Sequence, residues 1–366
     1  MSDFYATAFT PLVETFREHF RLTVFGVTAI GAISGIVGPM MQPLLGLWSD
    51  RTDRGRMAAI GLAASAVFIG LIGLAPNSVA LTLMLTGGAL GVAAFHPSGA
   101  VLAVREEAKR GSTMALFMSG GSIGLALAPL ASTGIVRGLG LPWLCLLALP
   151  GLALSVWLYT SSRGEPRGTA RGNGLNWRAL FEPGTGPLWA LFGMAVVRSL
   201  AVVAFAFYLS VLGKHRGWDL GECGGILSGY LACGVLGSLL GGWLGERMDR
   251  RVLLAASCVL AAPFYFVFAA THAWVTVPAF CAAGFLFSLA NPVNVVLAQE
   301  LRPQSASMMS GVILGLAWGI ASALLLAAGS LVEILSIERV LEGMAVVGAL
   351  AAPFAALLPA RRGRET

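Results

Sequence analysis

Apolar runs of roughly 20 residues follow one another along this chain, separated by short breaks rich in charge, glycine or proline. About 20 helical residues at ~1.5 Å each cross the ~30 Å hydrocarbon core of a bilayer. Water cannot be the main solvent of such a sequence. Of its 366 residues 57% are hydrophobic and 11% charged, against about 25% charged in soluble domains. Short segments of alternating polarity, the mark of a membrane barrel, are absent. The expected fold class is all-α and multi-pass, with the lipid bilayer as its partner.

The run boundaries predict twelve helices, over 1–14, 22–48, 57–75, 79–104, 112–136, 142–160, 186–213, 219–245, 252–270, 274–298, 306–332 and 338–359. The longest break, 161–185, is polar and rich in Gly and Arg. It divides the chain into a six-helix bundle over 1–160, a linker, and a second bundle over 186–366. The first helix is too short to span a bilayer. Either the true start lies upstream, or this helix is a stub leaning on its neighbours.

The formal net charge of +6 does not signal nucleic-acid binding, because the basic residues lie in short loops and not on one face. Their distribution sets orientation instead. Seventeen of the 24 Lys and Arg fall in alternate breaks that share one side, including Arg51, Arg54 and Arg56, the linker arginines, and Arg247, Arg250 and Arg251. Six fall on the other side, and Arg198 lies inside a helix. The linker and both termini are therefore expected in the cytoplasm. The five cysteines show no CxxC spacing and read as small core residues. Gly120-Gly-Ser-Ile-Gly124 matches the G-x-S-x-G hydrolase pattern, but that motif needs a strand-to-helix turn. None of His19, His96, His215 or His272 begins HExxH, and a P-loop is absent. No enzyme activity, metal or cofactor is expected.

The two halves repeat one another. Phe95-His96-Pro97 is followed by Val101-Leu-Ala103, and Ala290-Asn291-Pro292 by Val296-Leu-Ala298, at a shift of 195. Gly46-Leu-Trp-Ser-Asp50-Arg51 echoes Gly242-Trp-Leu-Gly-Glu246-Arg247 at a shift of 196. Transporters built from two parallel six-helix halves show this internal similarity. The same shift of 195 pairs Asp3 with Arg198 and His96 with Asn291. An Arg at a helix centre costs roughly 2.5–3.5 kcal/mol on insertion scales, so it faces a partner or water. Arg198 is expected to face a cavity and to approach Asp3 in at least one conformation, or else to hold a static pair with it. An imidazole titrates near neutral pH. His96 is accordingly a proton or anion site, or a side chain that satisfies the carbonyl of Ala93, which Pro97 leaves without its helical partner. Gly120-x-x-x-Gly124 and Gly311-x-x-x-Gly315-x-x-x-Gly319 predict close helix approach.

The run Gly46-x-x-x-Asp50-Arg51-x-x-Arg54-Gly55-Arg56 resembles the signature loop of the major facilitator superfamily. Gln42–Asp50, Ala93–Ala100, Ser119–Pro129 and Leu297–Pro303 are similar to the fosmidomycin-resistance type of drug-efflux transporter in that superfamily. The resemblance implies twelve helices in two pseudo-symmetric bundles, a bacterial inner-membrane location, and proton-coupled export of small molecules by alternating access. The energy source is then the proton gradient, with proton-coupled uptake by symport as the alternative. The substrate would be a drug-like or organic anionic compound, moved by a monomer. The family lines its cavity with helices 1, 4, 7 and 10, which here carry Asp3, His96, Arg198, Asn291 and Asn294. It also latches its cytoplasmic side with loop charges, here Asp50, Arg51, Arg54, Arg56, Glu246, Arg247 and Arg250. Two departures stand out. Relatives carry a His shortly before the helix-1 Asp, in a region missing here, and they often place an acid where this chain has Ser98.

Overall fold

In the computed structural model, residues 1–103, 110–162, 185–302, 309 and 311–359 are described; the linker arginines, Arg105, Lys109 and the C-terminal basic tail lie outside them. The described residues fold almost wholly into helix. Among the described residues eleven helical stretches are long and apolar enough to cross a membrane. The family's first helix is not among them: α1 (Ser2–Thr7) and α2 (Val13–His19) are short, joined through a 3-10 turn at Thr10–Leu12. The single helix expected over 1–14 is thus broken, with Pro11 in the turn.

The N-terminal part continues with α3 (Val24–Arg51), α4 (Arg54–Gly70), α5 (Ser78–Ala103), α6 (Arg110–Leu139) and α7 (Ala148–Ser161). The C-terminal part comprises α8 (Gly186–His215), α9 (Leu220–Arg247), α10 (Arg250–Ala270), α11 (Thr276–Ser288), α12 (Asn291–Leu301), α13 (Ala317–Ile334) and α14 (Ile337–Ala349). A π-helical turn at Val312–Leu316 leads into α13. The helix expected over 274–298 is interrupted at Leu289–Ala290, where Pro292 in the first turn of α12 cannot donate to the preceding segment. Pro97, by contrast, sits inside an uninterrupted α5.

The chain forms two compact units. One holds the residues before the linker together with Ala206–Ser228; the other holds the first part of α8, through Phe205, and everything from Gly229 onward. Within the first, Tyr208 meets Thr28 at 3.0 Å and Ser210 accepts from the Glu14 amide at 3.2 Å. Lys214 pairs with Glu18 at 2.9 Å and Arg137 with Asp219 at 3.3 Å. The second half of α8 is therefore bound to α2 and α3 by hydrogen bonds as well as by apolar contact.

Glycines set the helix spacing, though not at all the positions the GxxxG patterns suggest. A Cβ at Gly61 would lie 2.8 Å from the Gly91 carbonyl, and one at Gly91 would lie 2.7 Å from the Gly61 carbonyl, so α4 and α5 touch backbone to backbone. Gly237 and Gly241 of α9 do the same against the carbonyls of Phe285 and Leu289. Gly120 and Gly311 face open space, contrary to expectation.

The internal repeat survives as contacts. A Cβ at Gly46 would lie 3.4 Å from Pro97, and one at Gly242 would lie 3.9 Å from Pro292. Each signature glycine thus packs on its half's proline. Asp53 caps α4 by accepting from the Arg56 amide at 3.0 Å, and Asp249 caps α10 by accepting from the Arg251 amide at 2.8 Å. An N-cap aspartate contributes about 1 kcal/mol. Asp53→Ala and Asp249→Ala are each expected to lower unfolding free energy by about that amount, read from thermal midpoints in detergent.

Candidate functional site

Asp3 and His96 form a polar pair between α1 and α5 in the N-terminal unit. The His96 Nε2 lies 3.0 Å from Asp3 Oδ1, with 28% and 23% of the two side chains exposed. α1 is held firmly enough to aim the carboxylate. Tyr5 donates to the Leu147 carbonyl at 2.7 Å, and Thr7 to the Leu125 carbonyl at 3.1 Å. Gly151 leaves room for the Tyr5 hydroxyl, and Gly121 of α6 leaves room for the Asp3 carboxylate, which a Cβ there would strike. His96 is thus the partner of Asp3 across two helices, rather than a group satisfying its own helix's carbonyl.

This contact makes Gly121→Ala a local test. The methyl would displace Asp3 from His96, and transport is expected to fall at least tenfold with the fold intact. Gly120→Ala, one position along and meeting nothing within 4 Å, is expected to match wild type. Vesicle transport rates and detergent melting curves together check the pair.

Ser98 stands where an acid was the family expectation. It is fully buried, bonded to Ser49 at 2.7 Å and to the Ala94 carbonyl at 3.1 Å. The position joins α3 to α5 through neutral hydroxyls.

Arg198 occupies the equivalent place in the C-terminal unit but a different environment. Its side chain is buried, at 3% exposure. The guanidinium donates to Ser257 Oγ at 3.0 Å, to Cys258 Sγ at 3.0 Å, and to the Phe287 carbonyl. It also stacks 4.0 Å from the centre of the Phe287 ring. These partners all belong to its own unit. The acceptor at Phe287 is telling, because α11 ends at Ser288 and the last carbonyls of a helix lack intrahelical donors. Ser238 serves the next carbonyl, Ser288, at 3.3 Å. In a membrane such carbonyls must be satisfied by side chains. Arg198 does for the α11–α12 break what His96 was expected to do for α5.

Behind Arg198 lies an aromatic cluster that sequence reading missed. Tyr265 packs edge-on to Phe287, shares a 2.7 Å hydroxyl bond with Tyr230, and stacks on Phe205 at 4.3 Å. These rings come from four helices, so no local pattern in the sequence announces them.

Asn291 is exposed, whereas Asn294 is buried at 6% exposure, and its side-chain oxygen has no hydrogen-bonding partner among the described residues. The loop charges divide. The side chains of Asp50 and Arg51 lie outside the described residues. Arg56 pairs with the cap Asp53 at 3.4 Å and lies 5.9 Å from the Tyr159 ring. Among the described residues Glu246 reaches its neighbour Arg247, at 3.9 Å, while Arg247 lies 4.0 Å from the Trp243 ring. Arg250 forms an ion pair with Glu300, tying the start of α10 to the end of α12. Arg54 is engaged as well, with its Nε buried.

Repeated membrane helices, a broken helix and a half-buried polar pair are the features of a membrane transporter. The chain belongs to the Major Facilitator Superfamily, whose family model matches residues 1–326 and again 194–365. It is 26% identical over 339 residues to an uncharacterized MFS-type transporter, YfnC, of Bacillus subtilis, covering 89% of this chain and 81% of that one. It is 24% identical over 347 residues to the fosmidomycin resistance protein of Escherichia coli, covering 88% and 82%. In fold it is similar to a bacterial homolog of the human lysosomal transporter Spinster (TM-score 0.76, 16% identity, 97% and 93% covered). A mutant of the nucleoside transporter NupG is similar too (TM-score 0.75, 15% identity, 98% of both chains).

Proposed function

We propose that this protein exports small molecules in exchange for protons, by alternating access in a bacterial inner membrane. The observation that carries the reading is the Asp3–His96 pair at 3.0 Å. It joins a carboxylate to an imidazole, the one side chain whose ordinary titration falls near neutral pH. Within a membrane an ionisable pair of this kind is costly, and such groups mark proton relays and substrate paths. In this reading the pair takes up a proton from one side and releases it to the other as the substrate crosses. Arg198 then acts mainly as a positioning residue, holding the broken helix that carries Asn291 and Asn294 toward the substrate path. The loop charges from Arg54 to Arg250 face the cytoplasm and help close that side.

Likeness to a fosmidomycin resistance protein supports the outward direction and makes fosmidomycin the first compound to try. Inside-out vesicles with an imposed pH gradient test the direction. Substrate is expected to enter them as protons leave; movement of both in the same direction would identify an uptake symporter.

A further inference from the structure

α9 and α11 meet along a stripe with a four-residue period. On α9 the stripe reads Gly229, Cys233, Gly237 and Gly241. Gly237 faces the Phe285 carbonyl and Gly241 the Leu289 carbonyl, both at an offset of 48 residues. One turn back along the same face, that offset sets Cys233 against Cys281. The side chain of Cys281 leans toward the start of its helix, as helical side chains do. Its Sγ accordingly lies 3.5 Å from the position of a Cβ at Gly229. Both thiols are free and only partly buried.

We propose that Cys233 and Cys281 form a two-thiol site for a single thiophilic cation that prefers two soft ligands in line. Thiolates select soft metals, and the thiolate, not the thiol, is the ligand. Among the described residues no group of three or more His, Cys, Asp or Glu could hold a metal ion. That fits a two-coordinate ion better than a tetrahedral one such as zinc, which takes four ligands. Charge narrows the choice. Two thiolates and a divalent ion sum to zero, and net charge at this depth in a membrane is costly. Mercury(II) meets both conditions. Binding forms two S–Hg bonds, displaces both chlorides of the mercury salt, and releases two protons to water. The bridge then staples α9 to α11 beside the helix break.

The test is HgCl2 added at one equivalent to the purified full chain in detergent, followed by intact-mass measurement and then N-ethylmaleimide under unfolding conditions. The site predicts a mass gain of one mercury less two hydrogens, with alkylation lost at both Cys233 and Cys281 in peptide maps. Cys145, Cys223 and Cys258 should still be alkylated. In Cys233→Ser or Cys281→Ser, mercury should add only with a chloride retained and one proton lost. Chloromercury adducts on the unaltered chain, alkylation persisting at either of the two thiols, or no uptake would each overturn the site. The unaltered protein supplies the decisive measurement, so misfolding of a variant does not shelter the proposal.

Discussion

Asp3→Asn is expected to slow proton-driven export at least tenfold in vesicles with an imposed pH gradient. Exchange of labelled for unlabelled substrate, at equal pH on both sides, should persist. The substitution keeps the shape of the side chain and removes only its charge and its capacity to carry a proton. The stub that bears it stays anchored, because Tyr5 and Thr7 bond to carbonyls 142 and 118 residues away whatever stands at position 3. A tenfold loss corresponds to about 1.4 kcal/mol, the size of a pKa change of one unit. His96→Gln should leave a larger residual rate and flatten the dependence of export on pH, since the amide cannot titrate. Full proton-driven export by Asp3→Asn would remove the pair from the coupling mechanism.

Arg198→Lys is expected to cost about 2 kcal/mol of stability, the range for losing a charged hydrogen bond at a buried site. The exchange keeps the charge, and with it the cost of placing a cation in the membrane, so the difference isolates the fork. A lysine offers one nitrogen where the guanidinium spreads donors over Ser257, Cys258 and the Phe287 carbonyl. It also gives up the flat stacking on Phe287. A lowered melting temperature with near-normal export below it would identify Arg198 as the clamp of the broken helix. Unchanged melting with export abolished would instead make the guanidinium a group that meets the substrate.

The membrane fold was plain in the sequence, because apolar length and loop charge are local and additive. The two-fold repeat was plain for a related reason: Pro97 and Pro292 hold the same relation to Gly46 and Gly242 in each half. The breaks were harder to see. Apolar residues continue straight through Leu289 and Ala290, and hydropathy does not register where a helix ends. Asp3, His96 and Arg198 stood out as costly residues in apolar runs, but cost says nothing about which partner offsets it. The shift of 195 paired Asp3 with Arg198 as equivalents, and the structure gives them separate partners. Gly121, Ser257, Cys258 and Glu300 matter through contacts between helices distant in sequence. Gly121 was overshadowed by the GxxxG pattern one residue away. Asp53 and Asp249 were legible in principle, since an aspartate just ahead of an apolar run is an ordinary capping signal.

The halves repeat one another in sequence and differ in chemistry at two equivalent positions, Asp3 against Arg198 and His96 against Asn291. A hybrid assembled from two copies of the N-terminal half would therefore own two Asp3–His96 pairs and no Arg198 clamp. One assembled from two C-terminal halves would own two Arg198 clamps and no Asp3–His96 pair. On the proposed reading neither hybrid would carry both the proton pair and the arginine that holds the broken helix, so neither should support proton-driven export.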